Sequence, residues 1–260
     1  GSDVVLVVLN DGEIDIFLNF ACSCRAHGLE AALRKVVVFA GSKELVTLVE
    51  AAGATAIYHS SFFIVNRGAS YQYLDKTFTD MMWYKSFSLW VMLKLGYHVL
   101  FQDADLVWFK DPFPYFHRVL REEGRLVTFF SDDGQRSMRY TPFYANSGFY
   151  YLPSEPHTIA FAYQIVISFD SLYTMGSHQN IFTTKLQEMM DVGGVTSRML
   201  SLDLFPTGVQ YHHNKKFMQR FLANNGSEAP YGFHMCWTSN KREKIKFFKE
   251  TGMWYVQERC

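Results

Sequence analysis

Asp103 and Asp105 interrupt an otherwise apolar run, HVLFQDADLVWFKDP, from His98 to Pro112. In an extended strand, residues two apart project to the same face, roughly 6–7 Å apart. Two like charges side by side near a core are unfavourable unless a cation or a donor network neutralises them. A hard divalent cation with oxygen ligands does this well. Open α/β sheets also place ligands beyond the carboxyl ends of their strands. The pattern therefore points to metal-and-phosphate chemistry rather than to a solvated strand end.

The elements before the motif are those such a site needs. Val4–Leu9 is a continuous apolar, β-branched run that ends in Asn10-Asp11-Gly12, as expected for a strand buried on both faces. Helical spacing follows over 15–27, with Gly28 placed to end it. A second strand is expected at 36–39, a helix at 42–52 and a short strand at 54–58. This βαβαβ order predicts a doubly wound α/β sheet. Asp80 is the expected cap of a helix through Lys94, and the D-x-D run is read as the next strand. Further strands are expected at 126–130 and 149–152, and helices at about 155–170 and 178–190. No linker, repeat or low-complexity stretch divides the chain, so a single domain is expected.

Bulk composition narrows the function. The 260 residues carry 25 basic and 25 acidic side chains, so net charge gives no argument for nucleic acid or a membrane surface. Most of the 44 aromatic residues (24 Phe, 15 Tyr, 5 Trp) are expected in the core, and such richness also suits sites that stack on bases or sugar rings. Gly1-Ser2 reads as a cloning remnant, so an anchor is expected to lie outside this sequence. Cys22, Cys24, Cys236 and Cys260 fit neither a zinc knuckle nor a redox pair; disulfides and buried thiols both remain open. Asn225-Gly226-Ser227 is a glycosylation triplet.

Two metal chemistries use D-x-D after a strand. A haloacid-dehalogenase-type phosphatase carries it on the first strand of its domain, whereas three strands precede it here. A nucleotide-sugar transferase carries it after a complete nucleotide-binding half. The wider context resembles the second. WYKSFSLWVMLKLGYHVLFQDADLVWFKDPF is similar to the central block of glycosyltransferase family 77, whose domain is a nucleotide-diphospho-sugar transferase. VVLVVLNDGEIDIFLNFACSCRAHGL, ANSGFYYL and GFHMCWTSNKREKIKFFKETGMW resemble that family's first strand, N-S-G-F strand and terminal segment, so the likeness covers nearly the whole chain.

The resemblance implies a GT-A fold, a Rossmann-like mixed central sheet flanked by helices. Residues 1–109 are then mainly the nucleotide-binding half, and 110–260 the acceptor half with a C-terminal metal and diphosphate segment. It implies a retaining enzyme that moves galactose, arabinose or xylose from a UDP-sugar to a glycan or glycoprotein acceptor. Asp103, Asp105 and His234 would hold Mn²⁺ or Mg²⁺, and that ligand set suits Mn²⁺ better than Ca²⁺. Lys85, Lys241 and Lys244 would share the diphosphate charge. Asn10, Asp11 and Gly12 would hold the nucleoside. Asp132, Asp133, Asn146, Ser147, Gly148 and Gln179 would face the donor sugar.

GSHQNIF departs from the family's pattern, because His178 stands where an Asp-Gln pair has its acid. With no certain nucleophile, same-face attack is the expected route to retention. Segments 60–79 and 135–145 are the expected acceptor loops. The family implies a type II membrane protein of the Golgi lumen, with a cytoplasmic location as the other compartment. A phosphatase and a non-catalytic carbohydrate-binding relative remain open.

Overall fold

A computed structural model describes residues 1–60, 75–124, 127–134, 142–175, 177–223, 230–256 and 260. Its centre is a seven-stranded sheet. The strands are β1 (Asp3–Leu9), β2 (Val36–Ala40), β3 (Thr55–Ile57), β4 (His98–Gln102), β6 (Thr128–Asp132), β7 (Ala145–Leu152) and β8 (Ser197–Met199). Their order is β3-β2-β1-β4-β7-β6-β8. A second sheet pairs β5 (Leu106–Trp108) with β9 (Gly232–His234). The sheet is thus α/β and mixed: β3, β2, β1 and β4 run parallel, whereas β7 is antiparallel to both β4 and β6.

The apolar run of β1 is explained by two covers. Val5, Val7 and Leu9 join one core, with Phe17 and Phe20 of the helix Ile14–Ala26 and Phe116 of the helix Phe113–Glu123. Val4, Leu6 and Val8 join the opposite core, with Met92 of the helix Lys76–Lys94, Phe161 of the helix Pro156–Ile167 and Phe182 of the helix His178–Asp191. Period-two alternation divides one strand between two hydrophobic layers, so every position from Val4 to Leu9 is apolar. A third core lies under the small sheet, where Val107 and Phe233 pack with Phe217 of the helix Lys215–Ala223 and Phe248 of the helix Lys241–Glu250.

Three local expectations are corrected. The D-x-D run is not one strand: β4 ends at Gln102, and the chain turns through Asp103–Asp105 before β5 begins in the other sheet. Asp75 caps the helix Lys76–Lys94, its Oδ1 accepting from the Phe78 amide at 2.7 Å; Asp80 instead pairs with Lys76 one turn back at 2.5 Å. Asn146, Ser147 and Gly148 do not precede β7 but lie within it, opposite a bulge between Phe130 and Ser131.

Of the cysteines, Cys22 and Cys260 form a disulfide, while Cys24 and Cys236 are free thiols. The triplet at Asn225, most of the 60–79 loop and residues 135–141 lie outside the described residues. Among the described residues no helix is long and apolar enough to cross a membrane.

Candidate active site

The two sheets meet at the D-x-D. Register pairs Gln102 with Phe149, so Asp103 falls beside Gly148, whose carbonyl accepts the Asp103 amide at 2.8 Å. Leu106 pairs with His234, so Asp105 falls at the end of β9, where its carbonyl accepts the Met235 amide at 2.9 Å. Ligand atoms of Asp103, Asp105 and His234 all lie within 4.8 Å of one another.

These side chains fit a divalent cation. His234 is only 4% exposed, yet neither ring nitrogen makes a hydrogen bond. Asp105 Oδ1 is likewise buried without a hydrogen bond and stands 3.3 Å from His234 Nε2. Buried polar atoms left without a partner are costly, and a cation removes the cost for both. Gly148 leaves the room: a Cβ there would stand 2.6 Å from Asp103 Oδ2 and 2.7 Å from His234 Cε1.

Two lysines hold the carboxylates. Lys85 Nζ, on the helix Lys76–Lys94, lies 2.5 Å from Asp103 Oδ1, and Lys244 Nζ lies 3.0 Å from Asp105 Oδ2. Burial acts to raise the Asp105 carboxyl, but Lys244 and then His234 hold it below the usual carboxylate range. Burial likewise opposes the charge on Lys244, but Asp105 and Glu13 keep it protonated. In the pairs Asp103/Lys85 and Asp105/Lys244 the centre sets each carboxylate against one ammonium. It is therefore matched to a cation that arrives with an anion.

Two clefts adjoin this centre and share Lys85, Asp103, Asp105 and Lys244. The smaller, about 150 Å³, opens toward the end of β1 and is lined by Val8, Asn10 and Glu13. It lies where β2 and β4 flank β1 on opposite sides, the crevice at which doubly wound sheets bind nucleotides. The larger, about 420 Å³, is lined by Asp133, Asn146, Ser147, Gln179 and Trp237. There Asn146 Nδ2 donates to Asp133 Oδ1 at 2.6 Å, and its Oδ1 accepts the Gly148 amide at 2.7 Å. Gln179 Oε1 accepts the Ser147 amide at 3.1 Å. Burial pushes the Asp133 carboxyl up, while hydrogen bonds from Asn146 and Gln179 pull it back.

The remaining expected residues are placed differently. Asp132 is buried in β6 and lines neither cleft. Asp11 and Gly12 also stand off the cavities: Asp11 accepts from Ser42 Oγ, and the Gly12 carbonyl accepts from Lys241 Nζ at 2.5 Å. Lys241, also 2.7 Å from Asp15, ties the C-terminal helix to the loop after β1 rather than lining the site. His178 lines the larger cleft, with Nε2 3.1 Å from Ser86 Oγ. Burial, aided by the charge on Lys85, lowers it to about 3, so the ring is neutral.

Sequence reading missed Glu13, Trp237 and Thr238. Glu13 follows Asn10-Asp11-Gly12 directly, and extending that loop by one residue finds it. Trp237 and Thr238 become neighbours of Asp133 only through the β5–β9 pairing, which leaves no periodic signal.

Seven strands in this order, with an acidic centre at the junction of the sheets, define a GT-A glycosyltransferase fold. A galactosyltransferase, LgtC, solved with donor and acceptor sugar analogues, superposes with a TM-score of 0.56 over 98% of both chains at 15% identity. Mouse xyloside xylosyltransferase 1 superposes with a TM-score of 0.50 at 13% identity, over 93% of this chain and 100% of that one. The chain belongs to the nucleotide-diphospho-sugar transferase family, whose sequence profile matches residues 31–248.

A UDP-galactose:fucoside alpha-3-galactosyltransferase of Dictyostelium discoideum is 29% identical over 181 residues, 64% of this chain and 26% of the relative. Beta-arabinofuranosyltransferase RAY1 of Arabidopsis thaliana is 25% identical over 193 residues, 69% of this chain and 35% of the relative. The chain thus spans about a quarter to a third of these relatives. Neither a phosphatase nor a non-catalytic carbohydrate-binding protein finds support in these likenesses.

Proposed function

We propose that this chain is the catalytic domain of a metal-dependent, retaining glycosyltransferase of family 77. It would move a galactosyl, arabinosyl or xylosyl group from a UDP-sugar to a hydroxyl of a glycan or glycoprotein. The Asp103–Asp105–His234 centre between two clefts is the observation that carries this reading. A diphosphate crossing it would place a nucleoside beside Asn10 and Glu13 and a sugar beside Asp133, Asn146 and Gln179.

Asp103, Asp105 and His234 would hold Mn²⁺ or Mg²⁺, which when bound offsets negative charge on the departing diphosphate. Lys85 and Lys244 are cations at the same place, positioned to share the charge of the diphosphate. Asn146 and Gln179 orient Asp133 toward sugar hydroxyls. The Asp133 carboxylate already accepts hydrogen bonds, which weakens it as a nucleophile and favours same-face attack. The leaving phosphate then takes the acceptor proton. A glycosyl ester found on Asp133 by mass spectrometry would replace that route with a double displacement.

The Cys22–Cys260 disulfide supports an oxidising compartment, in keeping with the Golgi lumen and with an anchor elsewhere in a longer protein. The first test is release of UDP from UDP-galactose, UDP-arabinose and UDP-xylose, with Mn²⁺ and with EDTA. Metal-dependent release from one donor, abolished by Asp105→Ala, is expected. No release from any donor, with or without acceptor glycans, defeats the reading.

A further inference from the structure

Trp237 is the one non-glycine residue among those described whose backbone is left-handed, at φ 64°. A bulky side chain is rarely found there, and it persists only where its surroundings over-determine it. The surroundings here do so. Gly208 opens a short helix directly beneath, and a Cβ on it would collide with the Cys236 carbonyl oxygen. The indole Nε1 donates to the Asp133 carbonyl at 3.2 Å. The His213 ring stands edge-on at 5.2 Å. A glycine would hold the same backbone without strain, so the strained residue is there for its side chain.

That side chain lines the larger cleft and is 38% exposed, whereas Asp133, Asn146 and Ser147 in the same cleft are all under 8% exposed. The next residue, Thr238, also lines the cleft, and its Oγ1 is buried without a hydrogen-bond partner. An aromatic plane beside an unpartnered hydroxyl, a carboxylate and two amides matches one ligand chemistry well. A sugar ring has an apolar C–H face for the indole and a rim of hydroxyls for the polar groups. The buried polar residues sit deep, where a donor enters first. Trp237 sits at the mouth, where a second substrate arrives.

We propose that Trp237 is the platform on which a sugar ring of the acceptor stacks, with Thr238 binding one of its hydroxyls. The chain then extends an existing glycan rather than a bare peptide. This rests on the glycosyltransferase reading above, and the test separates the two.

Label the protein with 5-fluorotryptophan and assign the Trp237 ¹⁹F resonance by its loss in Trp237→Phe. Titrate with methyl glycosides of galactose, fucose, xylose and arabinose, and with a serine/threonine peptide, in the presence of UDP and Mn²⁺. The expected result is a saturable shift of the Trp237 resonance with at least one glycoside and none with the peptide. In kinetics with that glycoside, Trp237→Ala should raise the acceptor KM at least tenfold and the donor KM less than threefold. Trp237→Phe should restore most of the loss. A Trp237 resonance that moves with no glycoside, or with the peptide, overturns the proposal. Equal rises in both KM values also overturn it, because they assign the ring to the donor. A sugar-dependent shift in a protein that releases no UDP would defeat the transferase reading and leave the platform standing.

Discussion

Lys244 Nζ stands 3.0 Å from Asp105 Oδ2, inside a centre where Asp105 is 3% exposed. A cation from the last helix of the chain thus neutralises a carboxylate of the D-x-D. Removing one member leaves the other charged and buried. Lys244→Met is therefore expected to destabilise the fold by about 3 kcal/mol. The double variant Asp105→Asn/Lys244→Met should recover most of that loss while remaining inactive. Urea unfolding of both, beside UDP release, checks this; additive losses would mean that the pair is not coupled.

Gly148 predicts a steric effect on the metal centre. Its absent side chain lets Asp103 and His234 lie directly against β7. Gly148→Ala should leave far-ultraviolet circular dichroism unchanged and weaken Mn²⁺-dependent UDP binding tenfold or more. Isothermal titration with and without Mn²⁺ separates this from a general loss of nucleotide affinity.

His178 predicts a pH dependence of stability. Its folded value of about 3 lies below its ordinary 6.5, because burial disfavours the charged ring. Between those values the unfolded chain binds the proton and the folded chain does not. The contribution is complete above pH 6.5 and falls away as pH drops toward 3, by up to about 1.4 kcal/mol per pH unit. Unfolding of wild type and His178→Gln from pH 4.5 to 7 should show a shallower slope for the variant. Parallel slopes would mean that the ring titrates normally.

Trp237 predicts an inversion of the usual alanine–glycine order. At φ 64° the backbone favours glycine, so Trp237→Gly should be about 1 kcal/mol more stable than Trp237→Ala. Thermal melts of the two variants decide it.

Much of the sheet was legible because its signals are local. The run Val4–Leu9 and the glycines at 28, 53 and 96, all at positive φ, mark strands and helix ends without any knowledge of neighbours. The interruption at Asp103–Asp105 was harder, since apolar residues continue on both sides while the chain changes sheets between them. Period alone reads it as one strand. Asp75 and Asp80 are equally good capping residues, and only the hydrogen bond to Phe78 distinguishes them. In the site, Asp103, Asp105 and His234 could be named because D-x-D and its resemblance mark them. Trp237, Thr238 and Glu13 depend on contacts across the fold. The distinction between Asp132 and Asp133 turns on where β6 ends, which no spacing gives.

The junction of the two sheets has a mechanical meaning. Asp103 borders the seven-stranded sheet, while Asp105 borders the two-stranded one and His234 ends its strand β9. An ion held by all three would rivet one sheet to the other. The small sheet carries Lys244 and Trp237 on the segment beyond β9, so donor loading would stiffen the wall that meets the acceptor. Amide exchange in Val107 and Phe233 would then slow when UDP and Mn²⁺ are added together, and the rivet, rather than a moving lid, would set the order in which the substrates are seated.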